Sequence, residues 1–212
     1  MKKKILPCLL LILFMAVPIY SQNYSVSVKV STLGISLEGL RSFGEQINAR
    51  IGMTYFLINI DGGGGTEDYL YNGNLKLLTL FTLMDWYLFK SNFRITSGLF
   101  FNLNEGDLIL RPNGSHILGG IIYTPEMLGE ISTKVKVNLL TPYLGFGLGN
   151  RSISEGFDFT MDVGVIYQGT PKVNLSAKGL LAPSAEQESL VEHNTKWFKF
   201  YPIISFGIIY NF

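Results

Sequence analysis

One cysteine, Cys8, occurs in the 212 residues, and it stands inside the first apolar stretch. From residue 23 onward there is none, which excludes disulfides and thiolate metal sites as sources of stability. Long apolar runs are lacking too. Past residue 20 nothing approaches the ~18 consecutive apolar residues that a membrane-spanning helix needs. Charge of one sign is also lacking: 17 Lys plus Arg stand against 16 Asp plus Glu, so there is no broad basic surface of the kind nucleic acid requires. Histidine is reduced to His116 and His193, which leaves few candidates for a general base. What is abundant is apolar and aromatic: 47% hydrophobic residues, 13% aromatics, 23 glycines and a mean hydropathy of +0.27. A chain this hydrophobic without helical spans points to strands.

The N-terminus, MKKKILPCLLLILFMAVPIYSQNYS, has three lysines, an apolar stretch from Ile5 to Tyr20, and then small and polar residues. That order is the layout of a secretory signal peptide cleaved near Ser21 or Gln22. An uncleaved anchor helix is disfavoured by the short run and by Pro7 and Pro18. Cys8 comes too early for lipoprotein processing. The expected organisation is a signal peptide over 1–22 and a single domain over 23–212.

Three stretches alternate with a period of two. Ile47, Ala49, Ile51, Met53, Tyr55 and Leu57 oppose Asn48, Arg50, Gly52 and Thr54. Phe93, Ile95, Leu99, Phe101 and Leu103 oppose Arg94, Thr96, Gly98, Asn102 and Asn104. Phe157, Phe159, Met161, Val163, Val165 and Tyr167 oppose Asp158, Thr160, Asp162 and Gly164. Further strands fit 24–41, 69–89, 133–149, 172–181 and 198–212, separated by turn-rich pieces such as DGGGGTED and QGTPK.

Alternation alone does not say which face is outside. The polar face carries Lys29, Glu38, Arg50, Lys76, Arg94, Lys134, Lys136, Asp158, Asp162, Lys172 and Lys178, mixed with Asn, Thr, Ser and Gly. The interior of a barrel of about eight strands is narrow. The Phe, Tyr, Leu and Ile of the apolar face would overfill it, as a soluble lipocalin-like ligand-binding barrel would require, whereas lipid outside accepts any volume. The expected fold is therefore all-β: an antiparallel transmembrane β-barrel with a polar lumen and a lipid-facing apolar exterior. In hydrocarbon such a sheet must close on itself so that no backbone edge is left unpaired. Aromatic girdles are expected from Tyr55 and Phe56, Trp86, Tyr87 and Phe89, Trp197 and Phe198, and Tyr210 and Phe212.

The alternation changes phase at Ser31–Gly34 and at Leu139–Pro142, each change being a β-bulge or a tight turn. Two bulges give eight strands and two turns give ten. Leucines at both places are poor turn chemistry, so eight is expected and ten remains open, and with it the side on which the loops lie. Ser184 with Gln187 resembles a capping box ahead of a short helix. The assigned lumen face holds eight basic against three acidic residues, a surplus of five. Two readings follow: an ion-pair plug whose members satisfy one another, or a narrow anion-favouring passage.

The chain ends on alternating apolar residues, Ile204, Phe206, Ile208, Tyr210 and Phe212. This ending resembles the C-terminal signal of bacterial outer-membrane barrels, which the barrel-assembly machinery recognises. The segments STLGISLEG, LMDWYLFKSNFRITSGLFFN, TPYLGFGLGN, DVGVIYQGTPKVNLSAKG and FKFYPIISFGIIYNF resemble a family of small bacterial outer-membrane barrels without assigned activity. TPYLGFGLG is also similar to a strand of the outer-membrane protein W family, whose barrels are associated with passage of small, often hydrophobic molecules. The resemblance implies a monomer in the bacterial outer membrane, in contact with its lipid and lipopolysaccharide, without nucleic acid or cofactor. Its implied role is non-enzymatic: envelope structure, surface interaction or narrow small-solute passage.

Some outer-membrane barrels are lipid A acyl hydrolases or acyltransferases, so an enzyme is the rival class. His116 follows Ser115, and His193 lies in EHNTK. Neither has a nucleophile at a telling spacing, and solvated loop positions are expected for both. DGGGGTED lacks the Lys-Ser/Thr of a phosphate loop and the alternating acids of an EF-hand. It reads as a flexible loop. No catalytic residue and no metal ligand is assigned.

Overall fold

The computed structural model describes residues 24–63, 68–88, 91–149 and 155–212. The expected signal peptide, Phe89 of the expected girdle and residues 64–67 of the glycine-rich loop lie outside the described residues. The strands are β1 (Tyr24–Ser31), β2 (Gly34–Phe43), β3 (Ile47–Gly63), β4 (Tyr69–Tyr87), β5 (Phe93–Asn102), β6 (Glu105–Pro112), β7 (His116–Leu118), β8 (Ile121–Tyr123), β9 (Ile131–Lys136), β10 (Leu140–Leu148), β11 (Gly156–Tyr167), β12 (Lys172–Ala177) and β13 (Phe200–Asn211). The short helices are α1 (Pro125–Leu128) and α2 (Glu188–Asn194), with 3-10 segments at Gly179–Gln187 and Thr195–Lys199.

Eight of these strands close into a ring in the order β1, β2, β3, β4, β5, β10, β11, β13, and every neighbouring pair is antiparallel. The seam joins the two ends of the chain. Ser25 lies opposite Asn211 and Ser31 opposite Ser205, and the Phe212 N–H donates to the Tyr24 carbonyl at 3.1 Å. Ring closure leaves no strand edge where lipid would meet it. Both ends of the described chain lie at one end of the barrel. The Thr32–Leu33 turn, the paired ends of β3 and β4 at Gly63 and Leu70, and the long connections 103–139 and 168–199 lie at the other.

β3 and β4, of 17 and 19 residues, are longer than a bilayer crossing needs. Their far halves stay paired beyond the barrel, from Phe56–Leu77 to Gly63–Leu70. Onto the outer half of β4 are added β6, β9 and β12 in turn, which makes an outer sheet above the ring. One face of it is polar. On the other, Val173 is buried and Leu175 half-buried, while Lys172 and Asn174 on the polar face stay exposed. The Gly179–Gln187 segment and α2 pack on the β12 edge, and the Glu188 carboxylate accepts the Leu175 N–H at 3.0 Å. In this helical segment Gln187 occupies the N-cap without a side-chain bond, so the expected Ser184 capping box does not form.

Three strand assignments need correction. Residues 24–41 are two strands, not one bulged strand, because Ser31–Gly34 is a turn after all. The Ser31 Oγ accepts the Leu33 N–H at 3.2 Å and donates to the Gly34 carbonyl at 3.0 Å. Gly34 takes φ +113°. Leu33 suits this turn because its side chain points down into the lumen, where it is 3% exposed. At the second phase change there is neither bulge nor hairpin: β9 belongs to the outer sheet, and residues 137–139 bring the chain back to the ring as β10. Residues 172–177 likewise belong to the outer sheet rather than the barrel wall.

A Cβ on Gly34 would lie 2.5 Å from the Tyr55 carbonyl oxygen and 2.6 Å from the Phe56 Cβ, on a backbone conformation that L side chains avoid. Gly34→Ala is expected to lower barrel stability in detergent by roughly 1–3 kcal/mol, read as a lower urea midpoint for the loss of heat-modifiable migration. Thr32→Ala, at the exposed corner of the same turn, is expected to change the midpoint much less.

Candidate functional site

The described lumen holds a charged layer, an apolar cluster above it, and higher still a buried polar group in which Asn102 donates to Thr141 Oγ1 and accepts from Thr79 Oγ1. Nearer the end that carries both termini is a charged layer. Lys29 (β1), Glu38 (β2), Arg50 (β3), Asp85 (β4), Arg94 (β5) and Asp162 (β11) all point inward and are buried. Taken in strand order around the ring, their signs alternate. β10 and β13 contribute no charge to this layer; they supply Gly147, Ser205 and Gly207.

Asp162 is the hub. It accepts the Lys29 ammonium at 2.6 Å and the Arg50 guanidinium at 3.2 and 3.3 Å, and it pairs with Arg94 Nη2. Ser205 Oγ adds a donor at 3.4 Å. Lys29 also meets Glu38 at 2.9 Å, and Glu38 accepts from Arg50 at 3.2 Å. Arg50 Nη2 donates to Asp85 Oδ1 at 2.9 Å, and Thr96 Oγ1 donates to the same oxygen at 2.6 Å. Arg94 completes the circuit by donating to Thr160 Oγ1 at 2.9 Å and to the Gly149 carbonyl. The register explains the geometry: Arg94, Gly147, Asp162 and Ser205 lie side by side on four adjacent strands. Arg94 reaches Asp162 across Gly147, where a Cβ would stand 2.6 Å from both side chains.

Below this layer the Tyr87 hydroxyl and the Asn48 amide pair at 3.3 Å, and Ser25 donates to Asn211 at 2.6 Å. Above it the lumen turns apolar. Leu33, Phe81, Leu83, Phe100, Tyr143, Ile166 and Ile203 form one buried cluster. Phe81 stacks on Phe100 with ring centroids 5.0 Å apart, and Phe100 meets Tyr143 at 5.2 Å. Between the layers lies a cavity of about 30 Å³, bordered by Arg50, Asp162, Phe81 and Leu33. That is room for a water or two.

The structure therefore brings together five of the expected lumen residues, Lys29, Glu38, Arg50, Arg94 and Asp162, and separates the rest. Lys76, Lys134 and Lys136 are exposed on the polar face of the outer sheet, as are Lys172 and Lys178. Their strands have left the barrel there, so a polar parity no longer means an inward one. Lys136 pairs with Glu105 at 2.8 Å, and Glu130 accepts from both Lys178 and Arg111. Hydrogen bonds from Lys136 and from Lys178 hold the Glu105 and Glu130 carboxyls below the usual carboxylate range. Asp158 sits half-buried near the barrel end, accepting its neighbour Phe159 N–H at 2.7 Å. Asp85 was missed, since it lies in LFTLMDWYLF, where apolar residues occupy both parities. The surplus of five positive charges is replaced by three cations facing three anions.

Ile204, Phe206, Ile208, Tyr210 and Phe212 share the exposed face of β13. Of the expected girdle, Tyr55, Phe56, Trp86, Trp197 and Phe198 are exposed, while Tyr87 turns into the lumen. His116 stacks on Tyr69 at 6.4 Å, and its Nε2 is buried without a hydrogen-bond partner among the described residues. His193 is exposed on α2. Among the described residues no group of three or more metal-ligating side chains converges.

Removing Arg50 would leave three buried carboxylates, Glu38, Asp85 and Asp162, facing only Lys29 and Arg94. Breaking a buried ion pair by deleting one partner costs about 3–5 kcal/mol. Arg50→Met is expected to destabilise the folded barrel by that amount in urea titrations in detergent, whereas Lys136→Gln on the exposed outer sheet is expected to leave the midpoint nearly unchanged.

No protein family matches the chain, and no curated protein matches it in sequence. Solved structures do. CarO of Acinetobacter baumannii superposes with a TM-score of 0.59 at 16% identity, over 89% of this chain and 97% of that one. CarO2 of the same organism gives 0.60 at 17% identity, over 90% and 98%. At such identities the likeness is one of fold, and the fold is that of a bacterial outer-membrane β-barrel.

Proposed function

We propose that this chain is an exported, non-enzymatic barrel of the bacterial outer membrane whose lumen is closed and whose working surface is the sheet and helices it holds outside the bilayer. Its role on this reading is in envelope structure or surface interaction rather than solute passage. The observation that carries the reading is the filling of the lumen by a charge-balanced ionic layer beneath an apolar one. An anion passage needs a continuous aqueous path with a basic lining. Here three buried cations face three buried anions, and Phe81, Phe100 and Tyr143 stand above them.

Export is supported by the leader-like N-terminus, and membrane residence by the continuous apolar exterior, which includes Val28, Ile51, Met84, Leu144, Phe159 and Phe206. In bacterial barrels both termini lie in the periplasm, which puts the Thr32–Leu33 turn, the two long connections and the outer sheet on the cell surface. The exposed β13 face, ending in Phe212, is the surface that fits recognition by the barrel-assembly machinery. A small hydrophobic solute, the cargo suggested by the outer-membrane protein W resemblance, would have to displace Tyr143 of that same TPYLGFGLG strand from the apolar cluster. A lipid-modifying reaction would need a base aligned with a nucleophile, and the ring stack of His116 on Tyr69 assembles no such pair.

Purified protein inserted into planar bilayers is expected to give no discrete conductance in 1 M KCl, with insertion verified by heat-modifiable migration of the reconstituted sample. Reproducible unitary steps from the unaltered protein would overturn the closed-lumen reading.

A further inference from the structure

The alternation of β4 continues past the barrel. Inside the ring its even-numbered residues Leu80, Met84 and Trp86 face outward and are exposed. In the outer half the same parity presents Lys76, Asn74 and Asn72. The register then carries this face across the outer sheet. Lys76 lies beside Glu105, Glu105 beside Lys136, and Lys136 beside Lys172. In the next row Asn74, Asp107, Lys134 and Asn174 lie side by side. The two rows nearest the barrel therefore hold four lysines against two carboxylates.

Their height is as telling as their sign. Lys76 stands four positions beyond the exposed Leu80, Lys136 four before the exposed Leu140, and Lys172 five after the exposed Tyr167. With strands tilted in a barrel and rising ~3.3 Å per residue, that is on the order of 10 Å above those three residues, the depth of the lipid head groups, and on β3 the exposed Leu57 carries apolar surface up to the row of Lys76. The exposed Tyr167 and Phe200 rings, 5.2 Å apart, mark the band's upper rim below Lys172.

The face is open. The helical segment packs on the opposite side of the β12 edge, where Val173 is buried, and leaves Lys172 and Asn174 exposed. The lysines are also only loosely engaged: Lys134 meets Asp107 at 3.8 Å with both side chains exposed, Lys136 meets Glu105 at 2.8 Å, and Lys172 has no ion pair among the described residues. Exposed pairs of this kind are weak, so a more highly charged phosphate competes well for the ammonium groups.

We propose that Lys76, Lys134, Lys136 and Lys172 form a lipid-facing basic patch that binds the phosphorylated head groups of the outer-leaflet lipid surrounding the barrel. The apolar band meets the acyl chains, and the patch directly above it meets the phosphates, one continuous surface fitted to one kind of molecule. This rests on the outer-membrane reading. A lysine close to an anionic membrane surface strengthens binding about fivefold.

The test reconstitutes the protein, residues 23–212, in phosphatidylcholine vesicles with increasing fractions of diphosphorylated lipid A and follows the thermal midpoint of the barrel. The expected result is a midpoint that rises with lipid A and falls back in 0.5 M NaCl, because surface electrostatics are screened at that ionic strength. In the K76Q/K134Q/K136Q/K172Q variant the lipid A fraction giving half the rise should increase about tenfold or more, while K178Q, two rows higher, keeps the original response. Heat-modifiable migration of the variant in pure phosphatidylcholine shows that it is folded. An equal response in the variant, no response in the unaltered protein, or the same rise produced by inorganic phosphate alone would each overturn the proposal. A protein that enters none of the vesicles would overturn the membrane reading itself, and the patch with it.

Discussion

Three cations and three anions inside a narrow barrel are tolerable only together. Each would be strongly disfavoured alone in a space bounded by an apolar cluster above and by lipid around the wall. Drawn from six of the eight ring strands with alternating sign, they compensate one another only when those strands stand in the observed register. A slip of one residue on any of them would turn its charge toward hydrocarbon. The ionic layer thus specifies the register, and the register specifies the rest. It sets which residues face lipid and where Gly147 must leave space, and it determines that β1 and β13 meet at the seam. Because Lys29 and Asp162 are 133 positions apart in the chain, this compensation is complete only when the ring is nearly closed.

The barrel wall was legible because a bilayer enforces a strict separation of faces. Wherever one side of a strand meets lipid, as at Ile51 and Met53 or Phe157 and Phe159, the period of two is unmistakable, and the inward Arg50, Arg94 and Asp162 follow from it. The outer sheet was not legible, since past the bilayer both faces of a strand meet water or protein. Lys76, Lys134 and Lys136 there carry the same apparent signal as Arg50 and mean the opposite. Period also says nothing about partners. That 172–177 pairs with β9 instead of joining the ring depends on contacts that sequence spacing does not encode.

Asp85 and Leu33 failed to show for a different reason. Each belongs to the lumen but breaks the rule by which the lumen was recognised. Asp85 is surrounded by apolar residues of both parities because Phe81 and Leu83, on its own face, belong to the upper, apolar layer. Leu33 occupies a turn position where polar residues are common, because this turn caps the lumen instead of reaching into solvent. A lumen whose storeys differ in polarity has no single compositional signature, so it was read as polar throughout.

The inward Leu33 has a consequence for the shape of the barrel end opposite the two termini. The wall between β1 and β2 stops at a two-residue turn, whereas β3 and β4 next to it rise as a tall hairpin bearing the outer sheet. The rim is therefore lopsided, low on one flank and walled on the other. On the proposed reading, in which this end faces outward, a molecule reaches the mouth over the low flank, moving nearly parallel to the membrane. It meets the outer sheet side-on, so contact at that end is directional.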